Sequence, residues 1–123
     1  MNKRILVVDD SESIRSLLKF NLEANGYETD TASDGIKALE SLESSKEGYS
    51  LILTDLHMPN MNGLELIERI RANKDYRFMP ILFLTTETNP EMKQRARRAG
   101  ATGWIVKPFV TEQLIKTVRK VLR

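Results

Sequence analysis

The segment Leu51-Ile52-Leu53-Thr54-Asp55 is an apolar run that ends on an acid, and this pattern decides the fold. A second run, Ile5-Leu6-Val7-Val8, ends in the same way on Asp9 and Asp10. Short apolar runs of this kind are typical of strands buried on both faces of a parallel sheet. If both runs are parallel strands of one sheet, their three carboxylates lie at its carboxyl edge, where open α/β sheets bind ligands.

Three carboxylates held together repel one another unless a cation or protons compensate them, so the pattern predicts a metal site. The chain has no cysteine and a single histidine, His57, which excludes disulfides and thiolate metal sites. Any metal must therefore be held by oxygen atoms or by this histidine. Each acid also has a simpler interpretation, because Asp9 and Asp10 can cap a helix and Asp55 can belong to a turn.

Along the whole chain, β-rich runs alternate with amphipathic helical patterns. The runs cover residues 4–8, 28–32, 51–54, 81–84 and 103–106. The helical patterns are marked by Ile14, Leu17, Leu18 and Leu22; by residues 36–42; by Leu64, Ile67 and Ile70; by residues 91–99; and by Leu114, Val118, Val121 and Leu122. This alternation predicts an α/β, flavodoxin-like, doubly wound sheet of five parallel strands in the order 2-1-3-4-5, with five helices.

The composition limits the class of protein. We expect one domain, because 123 residues contain no linker and no repeat. No apolar run approaches the roughly 20 residues of a membrane helix, and the first is too short for a signal peptide, so we expect a cytoplasmic protein. Residues 1–61 hold 6 Lys/Arg against 11 Asp/Glu, and residues 62–123 hold 13 against 6. This asymmetry indicates either an acidic site with a basic partner surface or scattered solvated charges.

Two further residues follow predicted strands and point to the same edge of the sheet. Thr85 ends the fourth run, and Lys107 ends the fifth, directly before Pro108. A hydroxyl donor and an ammonium group beside carboxylates are what a phosphoryl group needs: a nucleophile, a cation and donors for its oxygens. The sequence therefore favours phosphoryl chemistry at this edge.

These residues identify a resemblance that covers the chain from Arg4 to the final helix. The chain resembles the receiver domain of two-component response regulators, most closely the stand-alone chemotaxis regulators of the CheY type. The motifs that carry the resemblance are Asp9-Asp10, Asp55 followed by Met58-Pro59-Asn60-Met61-Asn62-Gly63, Thr85, and Lys107-Pro108-Phe109. The resemblance implies that residues 1–123 are one receiver domain without an output domain, monomeric, and not an enzyme beyond its own phosphorylation and dephosphorylation.

The resemblance also implies roles for individual residues. Asp55 would be the phosphoacceptor. Asp10 and Asp55 would ligate Mg²⁺ directly together with the backbone carbonyl of His57, and Asp9 would act through water. Mg²⁺ prefers such oxygen ligands and keeps several waters.

The remaining implied roles concern the response to phosphorylation. Lys107 would pair with a phosphoryl oxygen, preceding a cis peptide bond to Pro108, and Thr85 would donate its hydroxyl to another phosphoryl oxygen. Trp104 would be the aromatic switch residue, moving inward as Thr85 shifts. His57 and Glu87 occupy positions that tune the lifetime of the phosphate in this family. Thr86 stands where a smaller residue is common in the family, which would narrow access to Asp55.

The implied partners are a sensor histidine kinase, a phosphatase, and a downstream target such as the flagellar switch. The target would bind the surface formed by helix 4, strand 5 and helix 5, and we expect neither nucleic acid nor membrane as a partner. That surface is rich in basic residues, which are Lys93, Arg95, Arg97, Arg98, Lys116, Arg119, Lys120 and Arg123. Exposed basic residues can equally be merely solvated.

Three other functions compete with this interpretation. An FMN protein of the same fold would need a phosphate loop rich in Ser, Thr and Gly after strand 1, where this chain has Asp9-Asp10-Ser11-Glu12. A phosphatase with an aspartyl nucleophile, of the haloacid-dehalogenase type, would carry an Asp-x-Asp pair after strand 1 instead of adjacent acids. A receiver that acts as a phosphate sink or shuttle, without a motor target, remains open on sequence alone.

Overall fold

A computed structural model describes residues 3–122 of the chain. Five strands alternate with five α-helices, and the predicted strands are found to within one residue. In chain order the elements are β1 (Arg4–Val8), α1 (Glu12–Ala24), β2 (Glu28–Ala32), α2 (Gly35–Ser44), β3 (Leu51–Thr54), α3 (Gly63–Ala72), a short 3₁₀ helix (Lys74–Tyr76), β4 (Ile81–Thr85), α4 (Pro90–Ala99), β5 (Gly103–Val106) and α5 (Thr111–Leu122). The sequence patterns did not predict the 3₁₀ helix.

The sheet is parallel and has the strand order β2-β1-β3-β4-β5, which confirms the predicted flavodoxin-like topology. Val8 at the end of β1 is paired with Thr54 of β3 and with Ala32 of β2. This register brings the residues that follow β1 and β3 side by side. The two acidic strand ends therefore meet at the switch point, where the chain order reverses.

The central strands are buried on both faces because helices cover the sheet from both sides. Alternate residues of a strand point to opposite faces, and the core accordingly divides into two layers. Leu6, Ile52 and Phe83 belong to the layer that includes side chains of α2, α3 and α4. Ile5 and Leu53 belong to the layer that includes side chains of α1 and α5.

Side-chain caps mark where four of the helices begin. The four caps are Ser11, Asp34, Asn62 and Asn89, and each accepts a hydrogen bond from a backbone N–H of the first turn. Such caps satisfy donors that have no partner within the helix. Asp9 and Asp10 are therefore not the cap of α1, because Ser11 fills that position.

The predicted inward face of α1 is wrong at one position. Leu17 is 46% exposed, whereas Leu18 and Leu22 are buried. Leu17 is turned by about 100° around the helix from Leu18, so it lies at the edge of the face that α1 buries. On α3, the fully buried residues are Leu66, Ile67 and Ile70, and Leu64 is only partly buried.

No helix within residues 3–122 is both long and apolar enough to cross a membrane.

Candidate functional site

The three predicted acids lie together at the carboxyl edge of the sheet. Asp9, Asp10 and Asp55 each offer a carboxylate oxygen within 4.8 Å of those of the other two. The backbone holds them there, because the Asp9 N–H donates to the Ala32 carbonyl (3.1 Å) and the Asp55 N–H donates to the Val8 carbonyl (2.9 Å). Both bonds extend the sheet by one residue past the strand ends, so the acids are placed by the sheet itself.

Lys107 joins two of these carboxylates. Its ammonium lies 2.7 Å from Asp9 Oδ2 and 3.2 Å from Asp55 Oδ2. Burial acts to lower the pKa of Lys107, but the hydrogen bond to Asp9 and the charges of Asp55 and Asp9 outweigh it, so the pKa is raised. The lysine is therefore a fixed cation at the site, and the peptide bond that follows it, to Pro108, is cis.

The other carboxylate oxygens have backbone donors. Asp9 Oδ1 accepts from the N–H of Ser11 (2.9 Å), and Asp55 Oδ1 accepts from the N–H of Leu56 (2.7 Å). Asp9 is only 2% exposed, and the Asp55 side chain is 13% exposed. Asp10 is exposed. Asp9 is thus held at the back of the site by Lys107 and Ser11, and Asp55 retains an opening to solvent.

A metal ion would find a suitable set of donors here. The clustered side chains offer only carboxylate oxygens, which are the ligands that Mg²⁺ prefers, and a Mg²⁺ site needs only one or two carboxylates with water completing the shell. The residues present therefore fit Mg²⁺. The backbone at His57 belongs to the loop that directly follows Asp55, beside the cluster.

Thr85 and Trp104 are linked through the loop between β4 and α4. The Thr85 side chain is fully buried, and its oxygen accepts from the N–H of Glu87 (3.2 Å). The carbonyl of Glu87 accepts from the Trp104 indole N–H (3.1 Å). The Trp104 ring packs at an angle on Phe83, with centroids 5.4 Å apart. One loop residue therefore connects the hydroxyl at the end of β4 to the aromatic ring on β5.

His57 and Glu87 form a contact that the sequence interpretation treated as two separate positions. His57 Nε2 lies 3.0 Å from Glu87 Oε1. The hydrogen bond from His57 lowers the pKa of the Glu87 carboxyl, aided by the N–H of Asn89. Each residue lies a short step beyond the end of its strand, and β3 and β4 are neighbours, so strand order alone could have indicated this pairing.

The loop from Asp55 to α3 is closely packed by residues that the sequence interpretation included in a motif without giving them a role. The N–H of Gly63 donates to the Leu56 carbonyl (2.7 Å), which closes the base of the loop. A Cβ at Gly63 would lie 2.6 Å from the Asp55 carbonyl oxygen, so only glycine permits this approach. Farther along, Asn60 donates to Asp34 on the neighbouring connection.

The predicted partner surface carries exposed basic side chains. On α4 they are Lys93, Arg95, Arg97 and Arg98, and on α5 they are Lys116, Arg119 and Lys120. Arg123 lies outside the described residues. Ala96 is the buried residue of α4, and Met92 and Ala99 are partly buried against the core. Lys93 lies over the Trp104 ring, 6.0 Å from its centroid, so the basic helix reaches the aromatic residue on β5.

Comparison with known proteins places this geometry in a family. Residues 5–119 match the response regulator receiver domain. The chain is 41% identical over its whole length to the alkaline phosphatase synthesis transcriptional regulatory protein PhoP of Bacillus subtilis, and it spans half the length of that protein. It is 36% identical to the chemotaxis protein CheY-3 of Vibrio cholerae, over 98% of this chain and 92% of that protein.

A solved structure of a chemotaxis protein is also similar to this chain. The chemotaxis protein CheY4 of Vibrio cholerae superposes with a TM-score of 0.93 and 45% sequence identity, over 99% of this chain and 100% of that one. Receiver domains are signalling modules and not conventional enzymes. The chain belongs to the response regulator receiver domain family, and regulators of the CheY type are among its close relatives.

Proposed function

We propose that the protein is a phosphorylation-activated switch in which Asp55 accepts a phosphoryl group, and that residues 1–123 act as one receiver domain. The observation that carries the proposal is the bridge from Lys107 to Asp9 and Asp55 at the switch point of the sheet. A reactive carboxylate needs an opening and a fixed cation beside it. Asp55 has both, since its side chain is 13% exposed and Lys107 lies 3.2 Å away.

In the transfer step, an oxygen of Asp55 attacks phosphorus in line, and the bond from phosphorus to the donor breaks. With a phosphorylated histidine of a sensor kinase as donor, the broken bond is P–N, and the leaving imidazole nitrogen takes up a proton. Lys107 then shifts from the carboxylate to a phosphoryl oxygen, which carries more negative charge. Asp9 keeps its own bond to Lys107 and holds the ammonium at the site.

Mg²⁺ would be held by Asp10, Asp55 and the His57 carbonyl, with Asp9 acting through water. When bound, it supplies positive charge that offsets the crowding of the acids and the charge of the phosphoryl group. The support for this assignment is the all-oxygen cluster of three acids.

The signal would leave the site through Thr85. Its hydroxyl can donate to a phosphoryl oxygen, and its oxygen already accepts from the Glu87 N–H. A shift of Thr85 toward the phosphoryl group therefore pulls on Glu87, whose carbonyl holds the Trp104 indole. Phosphorylation shifts the population between two arrangements of this loop, because the phosphoryl group interacts with Thr85 in only one of them.

The output surface would be α4, β5 and α5. Its exposed basic side chains suit a target segment that is acidic, and charge complementarity of this kind raises association rates and selects partners. The relatives named as chemotaxis proteins support a chemotaxis pathway, with a target such as the flagellar switch.

The test is incubation with acetyl phosphate and Mg²⁺, followed by intact mass and Trp104 fluorescence. We expect a gain of about 80 Da that is labile at high pH, as an acyl phosphate is, and a change in fluorescence. Asp55→Asn is the matched variant, since it keeps the size of the side chain and removes the nucleophile. No gain in the wild type, or the same gain in Asp55→Asn, would show the proposal to be wrong.

A further inference from the structure

A buried acid outside the metal cluster ties together the two loops that flank the site. Asp34 is 8% exposed and follows β2. One of its carboxylate oxygens accepts from the Lys37 N–H (2.8 Å) and caps α2. The other accepts from the Asn60 side-chain amide (3.0 Å), on the loop between β3 and α3. Capping needs only one acceptor, so the second bond has to be explained separately.

The backbone of Asn60 indicates that its side chain has a role. Asn60 has φ +70°, in the left-handed region that glycine adopts most easily. Asparagine is tolerated there, in part because its side chain can hydrogen-bond to the nearby backbone. The amide of Asn60 is instead used to reach Asp34, which lies 26 residues away in sequence.

A second contact joins the same two loops. A Cβ on Gly35, next to Asp34, would lie 2.9 Å from Met61 Sδ and 3.0 Å from Met61 Cβ. Met61, next to Asn60, is itself buried. The two connections are therefore packed against each other with no room for an added methyl group, and a polar bond and an apolar contact act at neighbouring positions.

The two connections both start at strand ends beside the acidic cluster. The β2–α2 connection begins after Ala32, the last residue of β2, whose carbonyl accepts from the Asp9 N–H. The β3–α3 loop begins after β3 with Asp55 itself and contains His57. The bond between Asp34 and Asn60 therefore joins two connections that start next to Asp9 and at Asp55.

We propose that Asp34 is a positioning residue of the phosphorylation site, which acts through its hydrogen bond to Asn60 to fix the β3–α3 loop for Mg²⁺ binding. The inference rests on the proposed function. Residues that orient a metal's ligands without touching the metal affect affinity strongly. Asp34 touches neither the acids of the cluster nor Lys107, so its effect must pass through the loop.

The first test is the Asn60→Gly variant, which suits the backbone conformation and removes only the side-chain bond. We expect the Kd for Mg²⁺, measured by calorimetry with the metal alone, to rise about tenfold. Amide hydrogen exchange across residues 56–62 is expected to accelerate. Phosphorylation by acetyl phosphate is expected to slow at low Mg²⁺ and to recover at saturating Mg²⁺.

The reversed pair separates positioning from loss of stability. Asn60→Asp alone places two carboxylates face to face and is expected to weaken Mg²⁺ binding. Combined with Asp34→Asn, it restores a hydrogen bond in which position 34 donates and position 60 accepts, and the net charge equals that of the wild type. The asparagine side chain can still cap α2. We expect the double variant to regain Mg²⁺ affinity and slow exchange. Tyr76→Phe is the control, because it removes a buried bond to the Leu42 carbonyl away from the site.

The outcomes of these tests distinguish failure of the inference about Asp34 from failure of the proposed function. The inference is wrong if the Kd of Asn60→Gly for Mg²⁺ equals that of the wild type, or differs from it no more than the Kd of Tyr76→Phe does. Asp34 is then only a helix cap, while the proposed function stands. A reversed pair that folds but stays weak in Mg²⁺ binding also contradicts it. If the wild type neither binds Mg²⁺ nor gains the phosphoryl group, both the inference and the proposed function fall.

Discussion

Replacing Lys107 with Met tests whether this lysine compensates the acids. Met keeps most of the length and the apolar stem of lysine and removes the ammonium. The variant then lacks two charge-assisted hydrogen bonds, at 2.7 Å to Asp9 and 3.2 Å to Asp55. Asp9, at 2% exposure, is left with its Ser11 bond and without an ammonium on its carboxylate.

The magnitude follows from the two bonds that are lost. Bonds to charged groups contribute about 1.5–3 kcal/mol each, and the longer one, to the more exposed Asp55, belongs at the low end, so together they contribute about 3–4.5 kcal/mol. We therefore expect Lys107→Met to lower the free energy of unfolding by about 3–4.5 kcal/mol in the absence of divalent cations, in the range found when one partner of a buried ion pair is removed.

The loss of stability in Lys107→Met should also depend on pH and on Mg²⁺. The pKa of Lys107 is raised above its usual 10.5, so its contribution is present below that pH and is lost as the pH rises through the higher folded value. Mg²⁺ at 100 times its Kd stabilises a protein by about 2.7 kcal/mol, and the variant is expected to gain more than the wild type because it lacks a competing cation.

The assay is urea unfolding followed by circular dichroism at pH 7, with EDTA or with Mg²⁺. Lys116→Met on exposed α5 is the control and is expected to change stability by no more than about 0.5 kcal/mol. The reasoning is refuted if Lys107→Met is as stable as the wild type in EDTA, or if its loss of stability is the same with Mg²⁺ as with EDTA.

Three further changes test other parts of the structure. Gly63→Ala brings a methyl group to 2.6 Å from the Asp55 carbonyl oxygen, so we expect a loss of about 1–3 kcal/mol or more in urea unfolding; wild-type stability would contradict the packing. Thr85→Ala is expected to keep the mass gain with acetyl phosphate and to lose the Trp104 fluorescence response; a retained response would mean that the signal takes another route. The pKa of Asp34 is lowered, chiefly by the Lys37 N–H and the Asn60 amide, so its contribution is present above its usual 3.8 and is lost as the pH falls through the lower folded value. Asp34→Ser retains a capping oxygen, and we expect it to have a lower free energy of unfolding than the wild type at neutral pH but not in strong acid. A difference that persists in strong acid would mean that the loss of stability comes from packing.

Much of the fold could be predicted because its signals are local. The strands are apolar runs that end on polar residues, and helix ends carry caps such as Asn62 or a left-handed glycine at Gly100. The inward face of α1 was wrong at Leu17 because burial depends on which neighbours cover a helix, and adjacent apolar residues do not reveal this. The 3₁₀ helix after α3 was missed because three residues carry too little periodicity.

Local sequence patterns do not reveal the contacts between loops. Asp34 and Asn60 are 26 residues apart and follow strands that are not neighbours, so neither local pattern nor strand order indicates this contact. His57 and Glu87 are 30 residues apart, and only the predicted neighbourhood of β3 and β4 could have indicated their contact. Lys107 was expected beside the acids, but that it bridges Asp9 and Asp55, and leaves Asp10 exposed, depends on distances of a few ångströms.

By itself, the sequence determined the order of strands and helices, the acids at two strand ends, and the hydroxyl and ammonium that end two others, because periodicity and residue type are local properties. Only the tertiary structure decided which carboxylate the ammonium holds, how Glu87 joins Thr85 to Trp104, and how Asp34 reaches the loop beside Asp55. The physical reason is that hydrogen bonds and charge pairs act within about 3–4 Å, a precision that only the packed sheet and its connections provide.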